Sequence, residues 1–293
     1  LEIKNLSKSI DNVKILEDIN LSIPKGIIYG IVGRNGSGKT TLFRSLASHY
    51  LLDEGEIIIN QQNINEFPHL KNDFFYLDIQ YQPLDGMRLK TIDNYFSLIY
   101  PLFDSDRFWS LIEEYKIGDQ QFQKFSKGEQ CLIIVILALC TDCSYIILDE
   151  PLDGLDVIVR KQVVDLMIDT ISDQERSIIL ASHNLHELEK LADQVAILNN
   201  KTISTILDLT TVKMSIHKIQ VAFKDSNLPQ FVREAAESII SEGRVTTIIF
   251  DNYSEALKQR IIAEEPIFIE DLPLSLEDIL VSKFSKEKLK GDK

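Results

Sequence analysis

Apolar and polar residues follow two rhythms along this chain, and the switches between them outline its elements. Ile27-Ile28-Tyr29-Gly30-Ile31-Val32 is a nearly continuous apolar run of buried-strand length. Thr41-Leu42-Phe43-Arg44-Ser45-Leu46-Ala47 then sets apolar residues at helical spacing, so the glycine-rich segment between them is a strand-to-helix loop. Upstream, 2–6 and 13–23 read as strands that end in the turn Pro24-Lys25-Gly26, and 55–60 adds another. The stretch 74–82 is apolar but interrupted by Asp78 and Gln80.

From 83 to 139 the pattern turns mostly helical. Tyr95, Phe96, Ile99 and Tyr100, then Phe108, Trp109, Ile112 and Tyr115, form aromatic stripes of the kind that pack into cores. Short apolar runs at 144–148, 178–182 and 195–198 resemble buried parallel strands, with helices at 157–170 and 185–192 between them. After residue 212 the pattern predicts strands at 216–223, 244–251 and 267–269, and helices at 230–240, 253–263 and 276–284. The expected organisation is an α/β domain over 1–211, helical from about 83 to 140, and an α/β extension over 212–293.

Composition narrows the class. Of 293 residues, 44% are hydrophobic and 26% charged, ordinary for a globular chain with ample core material. A net charge of −14 argues against a nucleic-acid partner, because neutralising phosphates needs a basic surface. Lys283, Lys286, Lys288, Lys290 and Lys293 read as a solvated, frayed tail. Cys131, Cys140 and Cys143 make no disulfide framework and fit a reducing compartment; Cys140-x-x-Cys143 has zinc-knuckle spacing but no second ligand pair nearby. The most apolar run, 131–140, is about half a bilayer span, and no signal peptide is visible. The expectation is a cytosolic chain.

The chemistry begins at Gly33-Arg34-Asn35-Gly36-Ser37-Gly38-Lys39-Thr40-Thr41, which fits G-x-x-x-x-G-K-[ST], the phosphate-binding P-loop. Its glycines let backbone N–H groups face phosphate oxygens, and the helix start adds partial positive charge. Gly33, Asn35, Gly36, Ser37, Gly38, Lys39, Thr40 and Thr41 are therefore the nucleotide-binding candidates, with Lys39 along the β- and γ-phosphates and the Thr40 hydroxyl on Mg²⁺. Tyr145-Ile146-Ile147-Leu148-Asp149-Glu150-Pro151 is an apolar strand ending in two carboxylates. After a P-loop, this Walker B arrangement gives Asp149 to Mg²⁺ and Glu150 to the attacking water.

Phe125-Ser126-Lys127-Gly128-Glu129, placed at a helix start before the Walker B strand, resembles the L-S-G-G-Q signature of the ATP-binding cassette family. Ser126 and Gly128 match; Phe125, Lys127 and Glu129 depart from it. Gly154-Leu155-Asp156 resembles the D-loop, and Ala181-Ser182-His183 the switch histidine. Gln80 and Gln82 both suit the Q-loop, and the spacing to Thr91-Ile92-Asp93-Asn94 favours Gln82. Where the family stacks adenine on an aromatic, this chain has Ile10. Tyr100-Pro101-Leu102-Phe103-Asp104, Phe125-Ser126-Lys127-Gly128 and 182–189 look most like the ATPase subunits of bacterial ABC-2-type exporters of drugs, bacteriocins and lantibiotics.

The resemblance implies a P-loop NTPase cassette fold with a helical subdomain. It implies ATP and Mg²⁺ as ligands, catalytic roles for Glu150, His183 and Gln82, and metal contacts from Thr40, Gln82 and Asp149. Ser126 and Gly128 would cover the nucleotide of a second ATPase subunit, in a homo- or heterodimer. A separate integral-membrane permease would hold the chain at the cytoplasmic face of the cell membrane. The competing readings are a cytosolic non-transport ATPase and a regulatory module that binds nucleotide without turnover. The extension, where Ser275-Leu276-Glu277-Asp278-Ile279 matches the same subgroup, suggests packing or dimer support, or a regulatory ligand site.

Overall fold

The computed structural model describes residues 1–77, 83–172, 175–224 and 228–280. It divides into two compact units, Leu1–Asn184 with Leu191–Ile206, and Leu185–Lys190 with the chain from Leu207 onward.

In chain order the first unit opens with β1 (Glu2–Ile10) and β2 (Val13–Ser22), paired antiparallel. Asp11 and Asn12 turn the hairpin with φ of 49° and 63°, the left-handed conformation that Asn and Asp tolerate best after glycine. β3 (Ile28–Val32), α1 (Lys39–Leu46), β4 (Glu54–Ile59), β5 (Gln62–Asn63) and β6 (Phe74–Tyr76) follow. Next come α2 (Leu89–Ile99), α3 (Ser105–Glu114) and α4 (Lys127–Cys140). The unit closes with β7 (Tyr145–Asp149), α5 (Val157–Ile171), β8 (Ser177–Ser182), β9 (Gln194–Asn199) and β10 (Thr202–Asp208), the boundary falling inside β10; α6 (Leu185–Leu191), between β8 and β9 in the chain, belongs to the second unit except for Leu191.

Two sheets result, an antiparallel one in the order β2-β1-β4-β5 and a six-stranded one in the order β10-β9-β3-β8-β7-β6. The pairs β9-β3, β3-β8, β8-β7 and β7-β6 are parallel. β2 buries Leu16, Ile19 and Leu21, its alternation shifted by one residue where Asp18 takes φ 49°, whereas every residue of β3 is buried because both its faces are covered. The shared core joins Leu6 and Ile19 of the first sheet to Tyr29 and Ile179 of the second through Leu42 and Phe43 of α1. Truncating Phe43, fully buried there, would cost about 3–5 kcal/mol. α4 is buried continuously from Cys131 to Cys140 and so shows no polar stripe. The aromatic stripes pack as expected at Phe96, Phe108 and Ile112, while Tyr95 and Ile99 stay exposed.

The second unit contains α7 (Leu209–Ser215), β11 (His217–Ala222), α8 (Gln230–Ala235), β12 (Ser238–Glu242), β13 (Val245–Phe250), α9 (Glu255–Ala263) and β14 (Phe268–Leu272). Its sheet runs β12-β13-β11-β14 with every neighbouring pair antiparallel, the ferredoxin-like βαββαβ arrangement. The single helix expected over 230–240 is corrected to α8 followed by a strand. Ile239 and Ile240 are β-branched, and Gly243, at φ 64°, turns β12 back onto β13, so cross-strand pairing overrides the helical spacing. The lysine-rich tail lies outside the described residues.

Candidate nucleotide site

The P-loop is built where β3 ends. Gly36 and Gly38 take φ of 78° and 109°, which a side chain would strain. At Gly33 an added Cβ would overlap Ser37 Oγ and come within 2.8 Å of the Leu198 carbonyl oxygen, so the loop folds tightly onto itself. Ser37 Oγ is buried there without a hydrogen-bond partner. No side chain caps the start of α1, whose first-turn N–H groups face the same turn. A buried orphan hydroxyl beside open backbone donors is the setting an anionic phosphate satisfies.

Lys39 is 6% exposed, and its Nζ donates to the Gly33 carbonyl at 2.9 Å while lying 3.4 Å from Glu150 Oε1. Thr40 Oγ1 donates to Asp149 Oδ2 at 2.6 Å. That contact joins the helix after β3 to the end of β7 although β8 lies between those two strands. A hydroxyl and a carboxylate in contact form the hard-oxygen pair that suits Mg²⁺.

Glu150 sits at φ 50°, a conformation costing a non-glycine residue about 1–2 kcal/mol. Its N–H donates to the Ala181 carbonyl at 3.1 Å, and its own carbonyl accepts from Asp153 N–H at 3.2 Å, so β8 and the following turn hold the strained residue in place. The carboxylate then spans two partners, Lys39 through Oε1 and His183 Nδ1 through Oε2 at 2.6 Å. His183 follows β8 directly and is 49% exposed, at the carboxyl end of the sheet where open α/β folds place ligands.

Ser126 caps α4. Its N–H and Oγ both donate to Glu129 Oε2 at 2.8 Å, and Glu129 N–H donates back to Ser126 Oγ at 3.3 Å. Gly128 lies against α5, where a Cβ would come within 2.9 Å of Val159 Cγ1. Asp156 caps α5 by accepting from Ile158 and Val159 N–H.

Gly33, Ser37, Gly38, Lys39, Thr40, Asp149, Glu150 and His183 therefore gather at one end of the parallel sheet. Asn35 and Gly36 stand exposed at the loop tip, and the Thr41 carbonyl accepts from Ser45 Oγ. Among the described residues no hydrogen bond joins Ser126 or Gly128 to that cluster. Gln80 and Gln82 lie outside the described residues. Two features escaped the sequence reading. One is the capping box, legible as S-x-x-E at Ser126–Glu129. The other is Cys131 Sγ donating to the Pro151 carbonyl at 2.9 Å, which braces α4 against the turn after Glu150 and has no sequence signal.

The family model for ABC transporters matches residues 16–153. Over 286 residues, 97% of this chain and 98% of the relative, the sequence is 30% identical to the ABC transporter ATP-binding protein YtrB of Bacillus subtilis strain 168. This chain is an ABC transporter ATP-binding protein.

Other ABC relatives work in both directions of transport by name. The lipopolysaccharide export system ATP-binding protein LptB of Escherichia coli K12 is 30% identical over 68% of this chain and 86% of its own. The spermidine/putrescine import ATP-binding protein PotA of Fusobacterium nucleatum is 28% identical over 100% of this chain and 76% of its own. A solved ATP-binding subunit of an ABC transporter superposes with a TM-score of 0.64 at 22% identity, covering 73% of this chain and 91% of that one, and shares the ABC cassette fold. Proteins of the ABC ATPase family bind ATP, and the orphan Ser37 hydroxyl, Lys39 and the α1 terminus fit its phosphates. No helix among the described residues is long and apolar enough to cross a membrane.

Proposed function

We propose that this chain hydrolyses ATP as the motor subunit of a bacterial ABC-2-type exporter, with residues 1–211 as the cassette and 212–293 as an extension. The observation that carries the reading is Glu150, held between Lys39 and His183 with the Thr40–Asp149 pair alongside. His183 Nδ1 fixes the Glu150 carboxylate so that it accepts a proton from the attacking water. Lys39 and the loop N–H groups of Gly33, Asn35, Gly36, Ser37, Gly38, Thr40 and Thr41 hold the triphosphate. Thr40, Asp149 and Gln82 would hold Mg²⁺, which supplies charge neutralisation at the β- and γ-phosphate oxygens.

Ser126 and Gly128 complete the site of a second ATPase subunit, so ATP favours the closed dimer. In support, Val157 and Ile158, next to Asp156, are 82% and 73% exposed, an apolar pair a facing subunit would cover. Tyr95, Leu98, Ile99 and Leu102 expose a second apolar patch on and after α2, suited to a permease segment. The permease holds the chain at the cytoplasmic face of the membrane. Export is favoured over import by 100–104, 125–128 and 182–189, which resemble the exporter subgroup.

Affinity purification of the full chain from detergent-solubilised source membranes tests this. One integral-membrane polypeptide should co-purify, and ATP added outside inside-out vesicles should drive cargo inward. Phosphate release by a chain with no membrane partner would leave a non-transport ATPase. Nucleotide binding without phosphate release would leave a regulatory module.

A further inference from the structure

A cavity of about 360 Å³ lies in the second unit, outside the nucleotide chemistry. It opens where the start of β11, the end of β14 and the first turn of α9 meet. Lys258 and Asp271 line it as a long ion pair of 3.7 Å, with side chains 37% and 65% exposed. Lys218 lines it too, but both Asp278 carboxylate oxygens accept from its Nζ at 2.9 Å and neutralise it. Ile216, Leu272 and Tyr253 supply apolar wall. The Tyr253 ring stacks on Phe250, and its hydroxyl is buried without a hydrogen-bond partner. Burial first, then the Asp271 and Glu255 carboxylates, push that hydroxyl's pKa up, so it stays a neutral donor.

Charge balance selects the ligand class. A bare anion would be repelled by Asp271 and Glu255, and a bare cation by Lys258. A molecule carrying both signs exchanges one long ion pair for two short ones, and its apolar part covers the aliphatic wall. We propose that this cavity binds a free L-α-amino acid with an apolar side chain, its carboxylate on Lys258 and its ammonium on Asp271.

Equilibrium dialysis of the full chain against radiolabelled L-leucine tests it, with L-methionine and L-phenylalanine in parallel. At least one should bind at one per chain. Neither 4-methylpentanoate nor 3-methylbutylamine, each carrying half the charge pattern, should displace it at equal concentration. Lys258→Ala and Asp271→Ala alter partly exposed side chains and should each weaken binding about tenfold or more, with the melting curve and ATP binding unchanged. No binding of the three amino acids at millimolar concentration would overturn the assignment. So would unaltered binding in the Lys258 and Asp271 variants, or equally tight binding of 4-methylpentanoate.

Discussion

Ser126 and Glu129 hold each other at the start of α4. The serine gives two hydrogen bonds to one carboxylate oxygen and takes one back from the glutamate backbone. The box satisfies the start of a helix whose remaining length is buried. Ser126→Ala should therefore cost about 1 kcal/mol by denaturant titration, while Glu129→Gln, which keeps an acceptor, should cost a few tenths at most. In the proposed dimer the Glu129 carboxylate stands near the partner's phosphates as a like charge. Glu129→Gln should then raise the ATP-dependent dimer fraction in sedimentation velocity, and a lower fraction would count against that geometry.

Glu150→Gln keeps the shape and the contact to His183 but removes the base. ATP should still bind, and turnover should fall by about 10²-fold or more. Lys39→Ala should weaken ATP binding itself. Equilibrium binding beside phosphate release separates the two, and near-normal hydrolysis by the glutamine variant would remove Glu150 from the base role.

Ile10 ends β1 and is half-buried. An aliphatic side chain offers a base apolar contact without a π-face, and base–aromatic stacking contributes about 1–3 kcal/mol in nucleic-acid systems. The wild type should discriminate weakly between ATP and GTP, and Ile10→Tyr should bind both more tightly. Strong ATP preference in the wild type with no gain from tyrosine would show that another group reads the base.

Cys131, Cys140 and Cys143 are buried, and burial pushes each thiol up from 9.0 to about 12. The folded chain should leave all of them unreacted toward Ellman's reagent at pH 8, whereas the denatured chain reacts fully. The folded pKa lies above the unfolded one, so the stabilising contribution is complete below about pH 9 and drains away as pH rises toward 12. Fast reaction of any one thiol in the native state would contradict its burial.

The P-loop, the Walker B strand and the histidine after β8 were legible because each joins a fixed spacing to an apolar strand. Strand order was not. The sequence shows that β3 and β7 exist but not that β8 runs between them, since pairing is decided by which faces bury together. β12 reads as helix in the sequence because Ile239 and Ile240 continue a helical spacing, and only the hairpin partner reveals the strand. β10 and α7 leave no clear signal in the sequence, because their mixed polarity marks neither period. The Glu129 cap is legible as S-x-x-E, at a position where the signature that this segment resembles has glutamine.

The second unit takes back a piece of chain from within the first. Leu185–Lys190 belongs to it, and Glu189 accepts from the Leu276 backbone N–H at 3.1 Å. His183 therefore reaches that unit through a single intervening residue, Asn184. Cutting the polypeptide after Ile206 would not excise an appendage cleanly, because it would strip the partners from a segment left behind. Along the backbone, then, the ferredoxin-like unit is tied covalently to the histidine of the proposed site, one residue away.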